Sequence, residues 1–222
     1  SFFAILLGSD NGGTTTPTDG SVTTGKIVDD AVTAAKVASS GSFAIGAAGT
    51  ASSLAGIPFY NGDTTSIYTH DVSGTDSSAT DNTAFGKNAL DAITSATDNV
   101  AVGHDAGTAV TTGGFSVFVG ADAGKAQTTG NTNVGIGYQA LAANVDGDRN
   151  TAVGTLAFAA LDPSSNADME NVAVGYYAGA ANTTGDYNTF LGALAGTSVT
   201  TGGQNTLIGR YAGGGFDTEN HN

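Results

Sequence analysis

The chain of 222 residues contains no cysteine, no tryptophan, one methionine and three prolines. Without cysteine it has no disulfide, no thiolate metal centre and no cysteine nucleophile, although this leaves the compartment open. Basic residues are scarce, with six Lys and Arg against 20 Asp and Glu, for a net charge of −14. That balance excludes nucleic acid as a natural partner, because phosphate binding requires a basic surface. It favours solubility and discourages random association. Long apolar runs are also missing. The opening "SFFAILL" is apolar over residues 1–7, far short of the about 20 residues that span a bilayer. It has no basic leader and is not a complete signal peptide. We read it as a strand or docking segment. The chain starts without Met, so its N-terminus is expected to be processed or cut from something longer.

What is present is glycine, 34 of it, with Ala, Thr, Ser, Asn and Asp. Such residues disfavour long helices, since Gly costs roughly 1 kcal/mol per helical position and Thr, Asn and Asp are weak helix formers. The composition alone would allow disorder. The order of the residues argues otherwise. "NVAVGHDAGTAVTTGGF" (99–115), "NVAVGYYAGAANTTGDY" (171–187) and "NTFLGALAGTSVTTGGQ" (188–204) are variants of one seventeen-residue unit. Aligned on one glycine, the units place Gly86, Gly103, Gly120, Gly137, Gly154, Gly175, Gly192 and Gly209 in a column. Six of the seven steps are 17 residues; the step from Gly154 to Gly175 is 21, with four residues inserted around "LDPSSNADME". A period of this size marks a repeat architecture.

Other columns follow. Four residues before the glycine stand Asn82, Asn99, Ser116, Asn133, Asn150, Asn171, Asn188 and Asn205. The third before it is Thr or Val, and the residue just before it is always large and apolar, from Phe85 and Val102 to Ile208. The third after it is always Ala, from Ala89 to Ala212, and the fourth is Gly in five units and Leu or Phe in three. Apolar residues two apart share one face of a strand. The strand ends at the glycine, where the chain turns or another backbone approaches closely. Loops such as "TTGG" and "TTGD" close each unit. Seventeen residues cover at most about 56 Å of path, which makes a thin coil that buries its apolar face only by stacking. The expected fold is therefore all-β: a repetitive, β-roll-like β-solenoid of 17-residue units. At about 4.8 Å per rung, eight units give a rod of roughly 40 Å. The Asn column becomes an inward ladder of amides, each donating to the next rung. A one- or two-turn helix after each strand, as over "GYQALAAN" (137–144), is the alternative for the second segment.

These "NTAVG…AL…TTG" units resemble repeats of phage tail fibres and of the heads of trimeric autotransporter adhesins. The adhesin repeat is shorter, and the "NVGIGYQAL" style at 133–141 is closer to phage fibre proteins. The resemblance covers residues 82–213. Upstream, "SVTTGKIVDD" and "AVTAAKVASS" form a tandem pair similar to fibre stalks, with Val22, Thr23 and Lys26 matched by Val32, Thr33 and Lys36. "AAGTASSLAGIPFYNGDTTSIY" (47–68) is similar to a further fibre module, with Ser66 where that module has glycine. The expected organisation is a docking segment (1–20), a stalk-like tandem repeat (21–41), a small β module or linker (42–81) and the solenoid (82–222). The resemblance implies an intertwined homotrimer, the alternative being a monomeric solenoid. Three apolar stripes packed around one axis would give such thin coils a shared core. The last unit stops without a distinct cap. Solenoids need caps, so residues 1–222 are expected to be part of a longer fibre or a matured product.

Chemistry is sparse. His70, His104 and His221 show no metal-ligand spacing with one another, and no GxSxG, HExxH, P-loop or EF-hand pattern occurs. "DGDRN" (146–150) resembles a calcium loop superficially. No catalytic residue, metal or cofactor is expected. The residues one and two after each glycine vary, as a solvent-facing row does. Tyr138, Tyr176, Tyr177, Arg210 and Tyr211 lie there, and exposed aromatic and Arg side chains suit sugars or protein receptors. The reading is a non-enzymatic fibre subunit of a virion that attaches to a host receptor or glycan. It would join other tail proteins through its N-terminal segment and cross no membrane. A bacterial trimeric adhesin at the cell surface is the alternative, and a polysaccharide-degrading tailspike with paired carboxylates is a second.

Overall fold

A computed structural model describes residues 52–54, 57–59, 67–69, 78–163, 165–215 and 218. The expected docking segment, stalk and most of the 42–81 module lie outside these residues. Within that module, β1 (Ser52–Leu54) and β2 (Ile57–Phe59) pair antiparallel. Then come β3 (Ile67–Tyr68), β4 (Thr83–Phe85), β5 (Val100–Val102), β6 (Val117–Val119), β7 (Val134–Ile136) and β8 (Gly147–Asp148). They are followed by β9 (Thr151–Val153), β10 (Ala167–Asp168), β11 (Val172–Val174), β12 (Thr189–Leu191) and β13 (Thr206–Ile208). No helix occurs among the described residues.

Nine of these strands form one parallel sheet in the order β13-β12-β11-β9-β7-β6-β5-β4-β3. Each strand pairs with its counterpart one unit along: Thr83 opposes Val100, Val117 opposes Val134, and Thr189 opposes Thr206. The fold is a β-solenoid in which each coil gives one strand to this sheet. The four-residue insertion leaves this register intact. Val172 still opposes Thr151, because the extra residues loop out between β9 and β11, where β10 pairs with β8.

The two apolar columns do share a face, and it is the outer one. The residue between them points inward: Ala84, Ala101, Phe118, Gly135, Ala152, Ala173, Phe190 and Leu207 are buried. So is the invariant Ala column, except for the partly buried Ala212 of the last unit. Coils this thin share out their volume between rungs. A β-carbon on Gly124 would lie 2.2 Å from the Phe118 ring, and one on Gly196 2.7 Å from the Phe190 ring. Phe158 and Phe190 meet at 5.7 Å between centroids. Large rings sit where their own coil carries glycine, as with Phe118 and Phe190, or where the next coil does, as with Phe158 and Gly179, which keeps the interior close-packed.

The unit glycines adopt φ between +120° and +145°, and a β-carbon on Gly103 would lie 2.6 Å from the carbonyl oxygen of Gly120. Both conformation and space therefore require glycine. The next segment is not the helix considered as an alternative. Its second and fourth residues after the glycine have positive φ, for example Gln139 (55°) and Leu141 (54°). This alternation turns successive N–H groups toward opposite neighbours. Gln139 donates to Ala121 of the preceding coil at 3.0 Å and Leu141 to Ala157 of the following coil at 3.1 Å. A helix would have kept those bonds within the segment.

The Asn column is fully inside and forms the expected ladder, with donation running to the preceding rung. Asn205 donates its backbone N–H (3.0 Å) and its side chain (3.1 Å) to the Asn188 carboxamide oxygen. The side-chain nitrogen also ties the coil shut, as Asn188 does to the Gly202 carbonyl at 2.9 Å. The first Thr of the closing loop has its own ladder: Thr94 of "TSATD" donates to the Thr111 carbonyl at 2.8 Å, and Thr111 of "TTGG" to that of Thr128 at 3.2 Å.

Candidate functional site

Three surfaces of the solenoid present apolar, aromatic or titratable side chains outside the coil interior. The first is the outer face of the nine-stranded sheet. Ile67, Phe85, Val100, Ile136, Val172, Leu191 and Ile208 are all more than a third exposed there. They stack in register because the strands do. The result is a continuous apolar strip in which neighbouring rungs add Val102, Val119 and Val153, half-buried. Strand residues can face outward in this way only because the coil interior is already filled by the residue between them.

The second is the corner after the glycine column, where the sequence placed its receptor-facing candidates. Tyr138, Tyr176, Arg210 and Tyr211 are exposed, and Tyr177 is half-buried. Tyr176 and Tyr177 pack with centroids 4.4 Å apart and planes at 58°. Arg210 lies over the Tyr211 ring at 4.2 Å. The structure thus joins four of these five residues in two pairs, with Tyr138 by itself, and the three positions fall on alternate rungs. The rungs between carry Thr155 with Leu156, and Ala193 with Leu194. At the spacing of stacked strands, alternate rungs are about 10 Å apart. The Tyr176 hydroxyl titrates above the usual tyrosine value; desolvation is the larger cause, and the charge and hydrogen bond of Tyr177 add to it.

The third lies at the same corner over the first four rungs. The column two after the glycine reads Asn88, Asp105, Asp122, Gln139. Asn88 donates to Asp105 at 2.8 Å and Gln139 to Asp122 at 3.2 Å. His104 Nδ1 is 3.3 Å from Asp105 Oδ2, and Lys125 Nζ is 3.9 Å from Asp122 Oδ2. Ligand atoms of His104, Asp105 and Asp122 lie within 4.8 Å of one another. The spacing of the three histidines from one another carries no sign of this cluster. The cluster joins one histidine to two aspartates, and a 17-residue step brings the aspartates together.

The calcium-loop likeness of 146–150 dissolves in the ladders. Asp146 accepts hydroxyls of Thr128 (3.0 Å) and Thr129 (2.7 Å), Asp148 accepts the Asn131 N–H at 2.6 Å, and Arg149 pairs with Asp168 and Glu170. Another residue missed from sequence is Gln127. It stands where other units have Ile93, Val110 or Val199 and completes the ladder where Ser116 interrupts it. Among the described residues, no helix is long and apolar enough to cross a membrane. Comparison with protein families, with curated proteins and with solved structures finds no match.

Proposed function

We propose that the chain is a structural, non-enzymatic subunit of a phage or phage-like fibre, assembled as a homotrimer and used in host attachment. The observation that carries this reading is the exposed apolar strip on the sheet. Monomeric proteins rarely leave such a contiguous surface in water, and one of this kind marks an interaction face. Burial contributes roughly 25 cal/mol per Å² of apolar surface, so packing strips against one another stabilises coils whose own interior is narrow. The strip supplies the reason to associate; the number three comes from the likeness of the repeats to fibre and adhesin units. The aromatic pairs at the corner stand clear of the coil interior and suit the faces of sugar rings or an apolar receptor patch.

Placement in a virion, with attachment to other tail proteins through the N-terminal segment, extends the same reading. A trimeric bacterial adhesin would use the strip in the same way, and neighbouring capsid or tail genes would favour the virus. Light scattering on the purified chain tests the assembly. A mass about three times that of one chain is expected, and a stable monomer at micromolar concentration would overturn the trimer.

A further inference from the structure

We propose that His104, Asp105 and Asp122 form a surface binding site for a divalent transition metal ion, with zinc as the type. Three facts carry this. The donor set is one imidazole nitrogen and two carboxylates, with ligand atoms within 4.8 Å of one another. Small side-chain rotations bring such atoms to the about 2.0–2.2 Å that zinc takes to nitrogen and oxygen. The two aspartates occupy the same column on consecutive rungs, and both backbones are fixed in the left-handed region, at φ 54° and 58°. Their stacking is a property of the solenoid rather than of flexible loops.

The second fact is electrostatic. Two carboxylates one rung apart repel each other. The ammonium of Lys125 stands 3.9 Å from Asp122, and its side chain is 43% exposed, so it offsets that repulsion only in part. A divalent ion between them removes that repulsion. The third is the support around the donors. Asn88 holds one oxygen of Asp105 and Gln139 holds one of Asp122, as outer hydrogen bonds orient the ligands of metal sites. Neither amide adds charge, so the site keeps its affinity for a cation.

The imidazole and the small number of oxygens select against calcium and magnesium, which take six or more oxygen ligands. Three protein ligands leave at least one position for water or an outside donor. Because the ligands come from two coils, the ion would clamp them together. This inference is independent of the fibre reading.

Isothermal titration of the chelator-treated full chain with zinc chloride tests it. One ion per chain is expected, with a higher melting temperature in zinc and no response to calcium or magnesium chloride. His104→Ala, at an exposed side chain, and Asp122→Asn should abolish binding while leaving the circular dichroism spectrum unchanged. Asn88→Ala should weaken it by about 10- to 100-fold. The double variant His70→Ala, His221→Ala should bind as the parent does. Zinc uptake that survives His104→Ala, or that is lost with His70 and His221, would overturn the site, as would preference for calcium over zinc.

Discussion

The carboxamide oxygen of Asn82 accepts two hydrogen bonds from Asn99 on the next coil, one from its backbone N–H at 3.0 Å and one from its side chain at 3.1 Å. The same relationship repeats between Asn133 and Asn150 and between Asn188 and Asn205. It explains why the column is asparagine. One side chain must accept from the following rung and donate to its own coil's closing loop, and a carboxamide of this length does both. Where Ser116 stands instead, its hydroxyl accepts the Asn133 N–H at 3.1 Å but donates only to nearby Gly114. Gln127 supplies the rest, donating to Gly130 at 2.8 Å and accepting from Asn133 at 2.8 Å.

Ser116 and Gln127 therefore form a coupled pair. Gln127→Val alone should destabilise the fold by about 1–3 kcal/mol, since it strands buried polar groups. Ser116→Asn combined with Gln127→Val restores the ordinary unit and should recover most of that loss. Denaturant melts of the two single variants and the double close the cycle. Strictly additive effects would show that the two side chains do not act together.

The glycine column should be unforgiving in the middle of the stack and milder at Gly209. A β-carbon at Gly192 would lie 2.7 Å from the backbone of Gly209, whereas one at Gly209 meets nothing within 4 Å. Gly192→Ala should lose about 1–3 kcal/mol from backbone strain, with steric displacement added. Gly209→Ala should lose only the strain at its φ of +120°. Thermal melts compare the two, and equal losses would contradict the close stacking.

Asn182 is buried with neither its side-chain oxygen nor its nitrogen hydrogen-bonded. Its column holds Leu161 and Val199 on the adjacent rungs, both buried. Asn182→Val should therefore raise stability by about 1–3 kcal/mol, by removing stranded polar atoms. A lower melting temperature would mean that this amide has a partner in solution.

The apolar strip should govern assembly without governing the coil. Val172→Asp with Leu191→Asp places two charges on the outer face, where the interior does not feel them. Dissociation to a chain of unchanged β content is expected by light scattering and circular dichroism. An oligomer that persists would place the interface elsewhere.

The paired aromatics should govern attachment without governing stability. Tyr176→Ala, Tyr177→Ala and the double variant should weaken adsorption to host cells or envelope glycans by about 10-fold or more if the pair is an anchor. Melting temperature should stay near that of the parent. Undiminished adsorption would assign these rings to ordinary surface.

Periodicity by itself determined the solenoid, the strand ending at each glycine, the inward asparagine and the loop at "TTG". Those features repeat, and a repeated backbone hydrogen bond or close approach demands the same residue at the same place in every unit. The inward column between the apolar ones escaped notice because it runs from Gly135 to Phe118 and Phe190. Its size trades against that of the residue six positions on in the same coil, Phe118 against Gly124 and Phe190 against Gly196, so no constant residue marks it. The alternating φ that replaces a helix after each strand escaped for a different reason, since its hydrogen bonds go to other coils. Which way each strand faces, how Gln127 completes the Ser116 rung, and that His104 and Asp105 meet Asp122 were decided by stacking. Stacking makes neighbours of residues 17 apart, and only the folded coil says which atoms of those neighbours touch.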